Sequence, residues 1–141
     1  MTKSQSERPQ QVERHERRVE VCFSPQQFEL YKADFHTCVV IDVLRATSAI
    51  CAGLANGVER IIPVPTVEEA RELQAQGCLA AAERNGQIVE GFDFGNSPRA
   101  YMDGELAGKT MALTTTNGTK AIAMAKDMPQ VAIGSINNLD A

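Results

Sequence analysis

Residues 37–55, TCVVIDVLRATSAICAGLA, hold the pattern that decides the fold. The first part, residues 37–43, is an almost continuous apolar run of the kind found in strands that are buried on both faces of a parallel sheet. The last part, residues 49–55, has the composition of a helix. A short apolar strand, a polar junction and a helix together form the repeating unit of α/β folds.

The same unit recurs along the chain. Further strands are predicted at residues 19–23, 60–64, 79–82, 110–114 and 131–134, and a late helix at residues 121–126. Thr66 followed by Glu69 is a capping-box signature for a helix that runs to about residue 76, and Gly77 is its natural stop. The sequence therefore predicts an α/β domain of three layers, with helices on both faces of a largely parallel or mixed sheet.

Two dipeptides mark further boundaries between elements. Asn85-Gly86 predicts a tight turn, after which the chain returns as a strand from Val89 onward. Ser97-Pro98 has the N-cap residue and the first-turn proline of a helix start.

The chain divides into a tail and one domain. Residues 1–18, MTKSQSERPQQVERHERR, are almost wholly polar, so we expect a disordered tail that buries too little apolar surface to fold. Residues 19–141 are predicted to form the α/β domain. The sequence ends where the next helix would be capped, so we expect this domain to be truncated and its sheet to be incomplete at the C-terminal end.

Composition narrows the range of functions. Of the 141 residues, 43% are hydrophobic and 23% are charged, and the net charge of -4 argues against nucleic-acid binding. No run approaches the ~20 apolar residues that span a bilayer, so no membrane partner is expected. The four cysteines lack the spacing of a metal site and are predicted to be buried free thiols, which favours a reducing cytoplasm.

In open parallel sheets, ligands bind outside the carboxyl ends of the strands, where helix N-termini offer free N–H groups. Four polar junctions of this chain fall at such places. In the first, Asp42 ends a strand, and it can hold a metal ion while Arg45 binds a phosphate. The alternative is an Asp42–Arg45 ion pair, with Thr47 or Ser48 as the cap of the following helix.

The second and third junctions also contain acidic residues. Glu83 and Arg84 form a charged pair directly after a small-residue strand, and the alternative there is a hairpin turn with solvated charges. Asp93 lies between Phe92 and Phe94 and between two glycines. This pattern favours a functional loop, because glycine lets the backbone approach a ligand closely.

The fourth junction, TTTNGTK at residues 114–120, places hydroxyl groups and a glycine between a strand and an Ala-rich helix. Backbone N–H groups and Thr hydroxyls at a helix start form a cradle for an anion. Simple N-capping by Thr116 or Asn117 is the alternative. Together the junctions offer carboxylates, guanidinium groups and hydroxyls, an oxygen-rich set that suits Mg²⁺ with a phosphate.

Three fragments of known motifs are set aside. Residues 93–95 spell the metal-binding tripeptide of kinases, but the other kinase motifs are absent from the sequence. Residues 118–120 lack the residue order of a P-loop. Cys78 and Arg84 have the spacing of cysteine-dependent phosphatases, but the residues between them read as a strand without the glycine that an anion nest needs.

IDVLRAT at residues 41–47, FDFGNSP at residues 92–98 and TTTNGT at residues 114–119 occur in this order. Together they resemble the signatures of the 2-phosphosulfolactate phosphatase family, and the resemblance covers residues 19–141. It implies a Mg²⁺-dependent acid phosphatase that releases phosphate from 2-phospho-3-sulfolactate, giving sulfolactate on the route to coenzyme M. Ser48 and Ala82 are mild departures from the family pattern, and family members continue well past the equivalent of residue 141.

The resemblance implies roles for individual residues. Asp42, Glu83 and Asp93 are expected to hold Mg²⁺ or to orient water, and with Arg45 they form the expected catalytic set. The substrate would be a small anion with a phosphate, a sulfonate and a carboxylate. The residues expected to bind it are Arg84, Asn96, Ser97, Thr115, Thr116, Asn117, Gly118 and Thr119.

Two alternatives to a phosphatase stay open. One is a catalytically inactive anion-binding or regulatory domain that keeps the cradle without turnover. The other is a domain whose polar junctions are merely caps and whose partner is another protein chain. An incomplete sheet also exposes an edge, so self-association into a homo-oligomer is expected.

Overall fold

The computed structural model of the protein describes residues 17–102 and 104–141, so the predicted tail lies outside the described residues except for residues 17 and 18. The helices are α1 (Phe28–Tyr31), α2 (Ala46–Ala55), α3 (Val67–Ala75) and α4 (Gly118–Ala125). The strands are β1 (Thr37–Ile41), β2 (Arg60–Pro63), β3 (Leu79–Arg84), β4 (Gln87–Ile88), β5 (Thr110–Thr114) and β6 (Gln130–Gly134). Short 3-10 helices occur at Pro25–Gln27, Pro98–Tyr101, Gly104–Leu106 and Ile136–Asn138.

The strands form a mixed sheet and a separate parallel pair. In the larger sheet the order is β2-β5-β3-β4, with β2, β5 and β3 parallel and β4 antiparallel to β3. The predicted tight turn joins β3 to β4. Its residues, Asn85 and Gly86, have φ angles of 54° and 77°, which suit a two-residue hairpin. Strands β1 and β6 pair in parallel. The prediction of an α/β fold with a largely parallel or mixed sheet is confirmed.

Side chains of the larger sheet alternate between two layers of helices, as the two-residue period of a strand requires. Ala80 and Ala112 are buried in a cluster with Ala70 of helix α3. Met111 and Leu113 are fully buried on the opposite face, in a cluster with residues of helix α2. The predicted arrangement of three layers is therefore confirmed.

Helix α3 begins and ends as its sequence predicts. The Glu69 N–H donates to Thr66 Oγ1 at 3.2 Å, and Thr66 Oγ1 donates to Glu69 Oε1 at 3.0 Å. Gly77 follows the helix with a φ of 97°, a left-handed conformation that favours glycine. The local pattern was sufficient here because every partner lies within one helical turn.

Two strand predictions are wrong. Residues 19–23 are extended but pair with no strand in the described part of the chain, and Val19 and Phe23 are 89% and 90% exposed. Their alternation fits a strand, but pairing also requires a neighbouring edge, which sequence alternation does not reveal. The strand expected from Val89 onward is instead β4, which starts at Gln87 directly after the turn.

Strand β1 is covered by other described residues on one face only. Val40 is 6% exposed, and Ile133 beside it in β6 packs against the core. Val39 and Ile41 point to the opposite face and are 52% and 67% exposed. With Leu139 and other residues they line an apolar groove of about 370 Å³. The prediction that this strand is buried on both faces is therefore wrong.

No helix within residues 17–102 and 104–141 is both long enough and apolar enough to cross a membrane. Cys22, Cys38, Cys51 and Cys78 are free thiols, as predicted, but each is half-buried where full burial was expected. Burial raises the pKa of the Cys51 thiol.

Candidate functional site

Most of the predicted site residues meet at one edge of the fold. Asp42 directly follows β1, Glu83 and Arg84 end β3, and Thr114 ends β5. Because β3 and β5 are parallel neighbours, with Ala82 opposite Thr114, their carboxyl ends lie side by side. The loops and helix N-termini that follow these strands form the candidate site, as expected for an open α/β sheet.

Helix α4 starts against the loop between β1 and α2. A Cβ atom at Gly118 would lie 2.3 Å from the Cβ atom of Ala46 and 2.7 Å from Oδ2 of Asp42. Both distances are shorter than a van der Waals contact, so the helix can begin here only with glycine. The Asp42 carboxylate thus lies at the N-terminus of α4, where the helix dipole stabilises negative charge. Thr47 fixes the loop, because its Oγ1 accepts a 2.9 Å hydrogen bond from the Asp42 N–H.

Arg45 forms an ion pair with Glu83 and not with Asp42. Its Nη2 atom contacts Oε2 of Glu83, and the Asn96 N–H donates to the same oxygen at 3.3 Å. The Glu83 side chain is only 22% exposed. The alternative of an Asp42–Arg45 pair is therefore wrong. The hairpin turn of the other alternative is present, but Glu83 pairs with Arg45 and is not solvated as that alternative expects.

Among the residues that the structure describes, Arg84 has only neutral partners. Nη1 donates to the Glu83 carbonyl oxygen at 2.9 Å, and Nη2 donates to Thr114 Oγ1 at 3.4 Å. Arg84 forms no ion pair within the described ranges. This half-buried positive charge therefore has no acidic partner among the described side chains of this edge. The fork-shaped guanidinium has five N–H donors, so donors remain for an anion.

The turn between β5 and α4 is held by two buried threonines. The Thr119 N–H donates to Thr115 Oγ1 at 3.1 Å, and the Thr115 N–H donates to Thr119 Oγ1 at 3.0 Å. Thr116 and Asn117 between them are exposed, and Asn117 is the N-cap without a side-chain cap bond. The alternative of capping by Thr116 or Asn117 is therefore wrong. Thr115 and Thr119, predicted to bind substrate, use their hydroxyls to shape the turn.

Asp93 lies at the opposite end of β3 from Glu83. Its Oδ2 atom accepts hydrogen bonds from the Ala80 N–H at 2.8 Å and from Gln74 Nε2 at 3.3 Å. Ala80 and Glu83 are three residues apart on the strand, a distance of about 10 Å. A parallel β-bridge joins Phe94 to Ala81 in the middle of β3. Because the two segments run in the same direction, Asp93, which precedes Phe94, lies toward the amino end of the strand.

The predicted carboxylate triad of Asp42, Glu83 and Asp93 is therefore not brought together. Within residues 17–102 and 104–141, no group of three His, Cys, Asp or Glu side chains is placed to hold a metal ion. The assignment of Asp93 to the site needs correction, because its carboxylate is used to tie the loop to strand β3. Mg²⁺ binding stays a prediction.

Asn96 and Ser97 come directly after the segment around Phe94, and they lie near the end of β3, where the Asn96 N–H contacts Glu83. Asn96 is 8% exposed, and its Oδ1 atom is buried without a hydrogen-bond partner among the described residues. A buried polar atom in this state is suited to a bound water or to a ligand donor. Ser97 is half-buried and precedes the 3-10 helix Pro98–Tyr101, without a cap bond from its side chain.

Sequence reasoning missed two residues that help to build the site. Tyr101 is fully buried, and its hydroxyl donates to the Gly95 carbonyl oxygen at 2.8 Å. Ser135, after β6, lies with its Oγ 2.8 Å from Oγ of Ser48 in helix α2. A buried tyrosine and a serine after a strand are common in any sequence, so no local signal could have identified them.

Comparison with known proteins agrees with the resemblance. A family model described as 2-phosphosulpholactate phosphatase matches residues 22–141. A protein of Thermotoga petrophila named "Probable 2-phosphosulfolactate phosphatase" is 48% identical over 101 residues, which cover 72% of this chain and 44% of that protein. A protein of Clostridium acetobutylicum with the same name is 42% identical over 127 residues, covering 88% and 54%. The chain spans about half the length of the curated relatives it matches.

Replacing Gly118 by alanine tests the contact between α4 and the β1–α2 loop. We expect Gly118→Ala to lower the free energy of unfolding by about 1–3 kcal/mol, because the added methyl group overlaps Ala46, although alanine is otherwise the better helix former. Urea unfolding measures the change. Gly104→Ala is the control, since a Cβ atom there meets no described atom within 4 Å. Equal stability of the two variants would contradict the contact.

Proposed function

This chain belongs to the 2-phosphosulfolactate phosphatase family, and from that premise we propose that it acts as a phosphatase on 2-phosphosulfolactate or a similar small phosphorylated acid. The products are sulfolactate and inorganic phosphate. The proposal includes the whole reaction, although the chain spans about half the length of its curated relatives. Its support is the charge arrangement at the carboxyl ends of β3 and β5.

The observation that carries the proposal is the positive charge of Arg84, which forms no ion pair with any residue in 17–102 or 104–141. This guanidinium lies at the end of β3 and reaches Thr114 at the end of β5, where helix α4 begins four residues later. The first turn of a helix offers backbone N–H groups and a positive dipole end. The guanidinium at the end of β3 and the helix N-terminus that follows the adjacent strand β5 together form a site for a phosphate or a sulfonate.

Glu83 is proposed to orient the attacking water. Its Oε2 atom is held by Arg45 and by the Asn96 N–H. Its Oε1 atom makes no hydrogen bond with the residues that the structure describes, so it can accept one from a water molecule. The unpartnered Oδ1 atom of Asn96, on the neighbouring segment, is a second acceptor for such a water.

Mg²⁺ belongs to the same proposal, with Asp42 as its protein ligand. This ion keeps several water ligands and binds through one or two carboxylates together with phosphate oxygens, so a cluster of three acidic residues is not required. The Asp42 carboxylate fits that role because it forms no ion pair in the described part of the chain. When bound, the ion would neutralise charge on the phosphate oxygens.

The biological setting is also part of the proposal. Membership of the family supports a place on the route to coenzyme M, as the resemblance implies. The four free thiols support a reducing cytoplasm, where disulfides are rare.

Phosphate release tests the proposed activity. We expect this chain to release phosphate from racemic phosphosulfolactate with Mg²⁺ but not with EDTA. Arg84→Met should lower the rate about 10- to 100-fold, because a charge-assisted hydrogen bond to the phosphate is lost. Arg60→Met is the control, since Arg60 is exposed and starts β2 at the opposite edge.

Two other results would separate the alternatives. If phosphate raises the melting temperature but no phosphate is ever released, the chain is an anion-binding or regulatory domain. If Arg84→Met and Arg60→Met behave alike in both assays, the site assignment is wrong.

Self-association through the exposed face of β1 and β6 is a separate proposal. The groove there is lined by apolar residues, and an exposed apolar patch on a sheet favours contact with a second copy. Sedimentation velocity should show a dimer at high concentration that Ile41→Lys abolishes. Leu30→Lys, at a 77% exposed site on α1, is the control. A chain that stays monomeric at every concentration would contradict the proposal.

A further inference from the structure

We infer that Tyr101 is a positioning residue for the ion pair of Glu83 and Arg45, and this inference rests on the proposed phosphatase function. Tyr101 touches neither the proposed metal ligand Asp42 nor the anion-binding Arg84 through any hydrogen bond of the described chain. It acts through one peptide group. That group joins the buried phenol to the carboxylate that is proposed to orient water.

The peptide group between Gly95 and Asn96 is the connecting unit. Its carbonyl oxygen accepts the 2.8 Å hydrogen bond from the Tyr101 hydroxyl, and its N–H donates to Glu83 Oε2 at 3.3 Å. Because a peptide group is planar, fixing the carbonyl also fixes the direction of the N–H. A hydrogen bond to the carbonyl also polarises the peptide and strengthens its N–H as a donor. Tyr101 therefore both orients and strengthens the bond to Glu83.

Glycine at position 95 makes this approach feasible. A Cβ atom there would lie 3.2 Å from Oε2 of Glu83 and 3.1 Å from Cγ1 of Ile88. Any larger residue would push the carboxylate away from the Asn96 N–H. The Glu83 carboxylate is thus in close contact both with the backbone at Gly95 and with the side chain of Arg45.

The ring of Tyr101 also packs against the helix that follows Arg45. A Cβ atom at Gly53 would lie 3.2 Å from Cδ1 of Tyr101, so the ring packs directly on helix α2. Arg45 is the N-cap of that helix. One side chain therefore contacts both the element that carries Arg45 and the peptide that holds Glu83.

Burial of the phenol, together with the nearby negative charge of Glu83, raises the pKa of Tyr101 far above its ordinary value. The raised pKa agrees with the geometry, in which the hydroxyl donates a hydrogen bond to the Gly95 carbonyl oxygen.

The test uses Tyr101→Phe, which keeps the ring and removes the hydroxyl. We expect the Asn96 amide proton signal to move upfield in NMR spectra as its bond to Glu83 weakens. The kcat for phosphate release should fall about three- to tenfold, the effect of one hydrogen bond, while KM stays unchanged because Arg84 and α4 still bind the anion. Tyr31→Phe, at the other tyrosine of the chain, is the control.

Each result decides the inference. An unchanged Asn96 signal, or a shifted signal with unchanged kcat, would overturn it. Gly95→Ala gives an independent measurement if Tyr101→Phe does not fold, and it should lower kcat at unchanged KM. If the unmodified chain releases no phosphate, the proposed function fails, and the Asn96 signal alone then decides whether Tyr101 positions the ion pair.

Discussion

The close contact between helix α4 and the loop after β1 holds the candidate site together. Strand β1 belongs to the two-stranded sheet and β5 to the larger sheet, and no backbone ladder joins the two sheets in the described chain. At Gly118 the start of α4 reaches both Ala46 and Asp42, so this contact couples the carboxyl ends of β1 and β5. Without a glycine there, the Asp42 carboxylate and the turn before α4 would move apart.

In the described part of the chain, the charges at this edge divide into an ion pair and a cation without an acidic partner. Arg45 and Glu83 neutralise each other, and at their partial exposure such a pair adds little to stability. The ion pair instead fixes the position of a Glu83 carboxylate oxygen at the end of β3. Arg84 has no acidic partner in the described ranges, so an incoming anion is attracted to it and to the helix start next to it.

Local sequence patterns predicted the helices and strands of the fold well. The site was predicted less well, because it depends on contacts between residues that are far apart in the sequence. The strand at residues 110–114 and the Thr66 cap were predicted correctly, because hydrophobic runs and caps depend on near neighbours. Asp93 was misplaced because only the folded chain shows that its loop runs back along β3. The sequence left Arg45 either binding a phosphate or paired with Asp42, and only the folded chain shows that its partner is Glu83, 38 residues away. Asp42, Glu83 and Arg84 at the strand ends were nevertheless predicted from the sequence, since strand ends can be found from sequence and strand order cannot.

We propose that anions bind at the carboxyl ends of β3 and β5 and not around Asp93. An NMR titration with inorganic phosphate tests this proposal most directly, because every backbone amide reports separately. We expect the signals of residues 116–120 and of the Arg84 side-chain Nε–H to shift together, while the Ala80 amide, which donates to Asp93, stays unchanged. Shifts centred on Ala80 and Gln74, or a titration that leaves Arg84 unaffected, would contradict it.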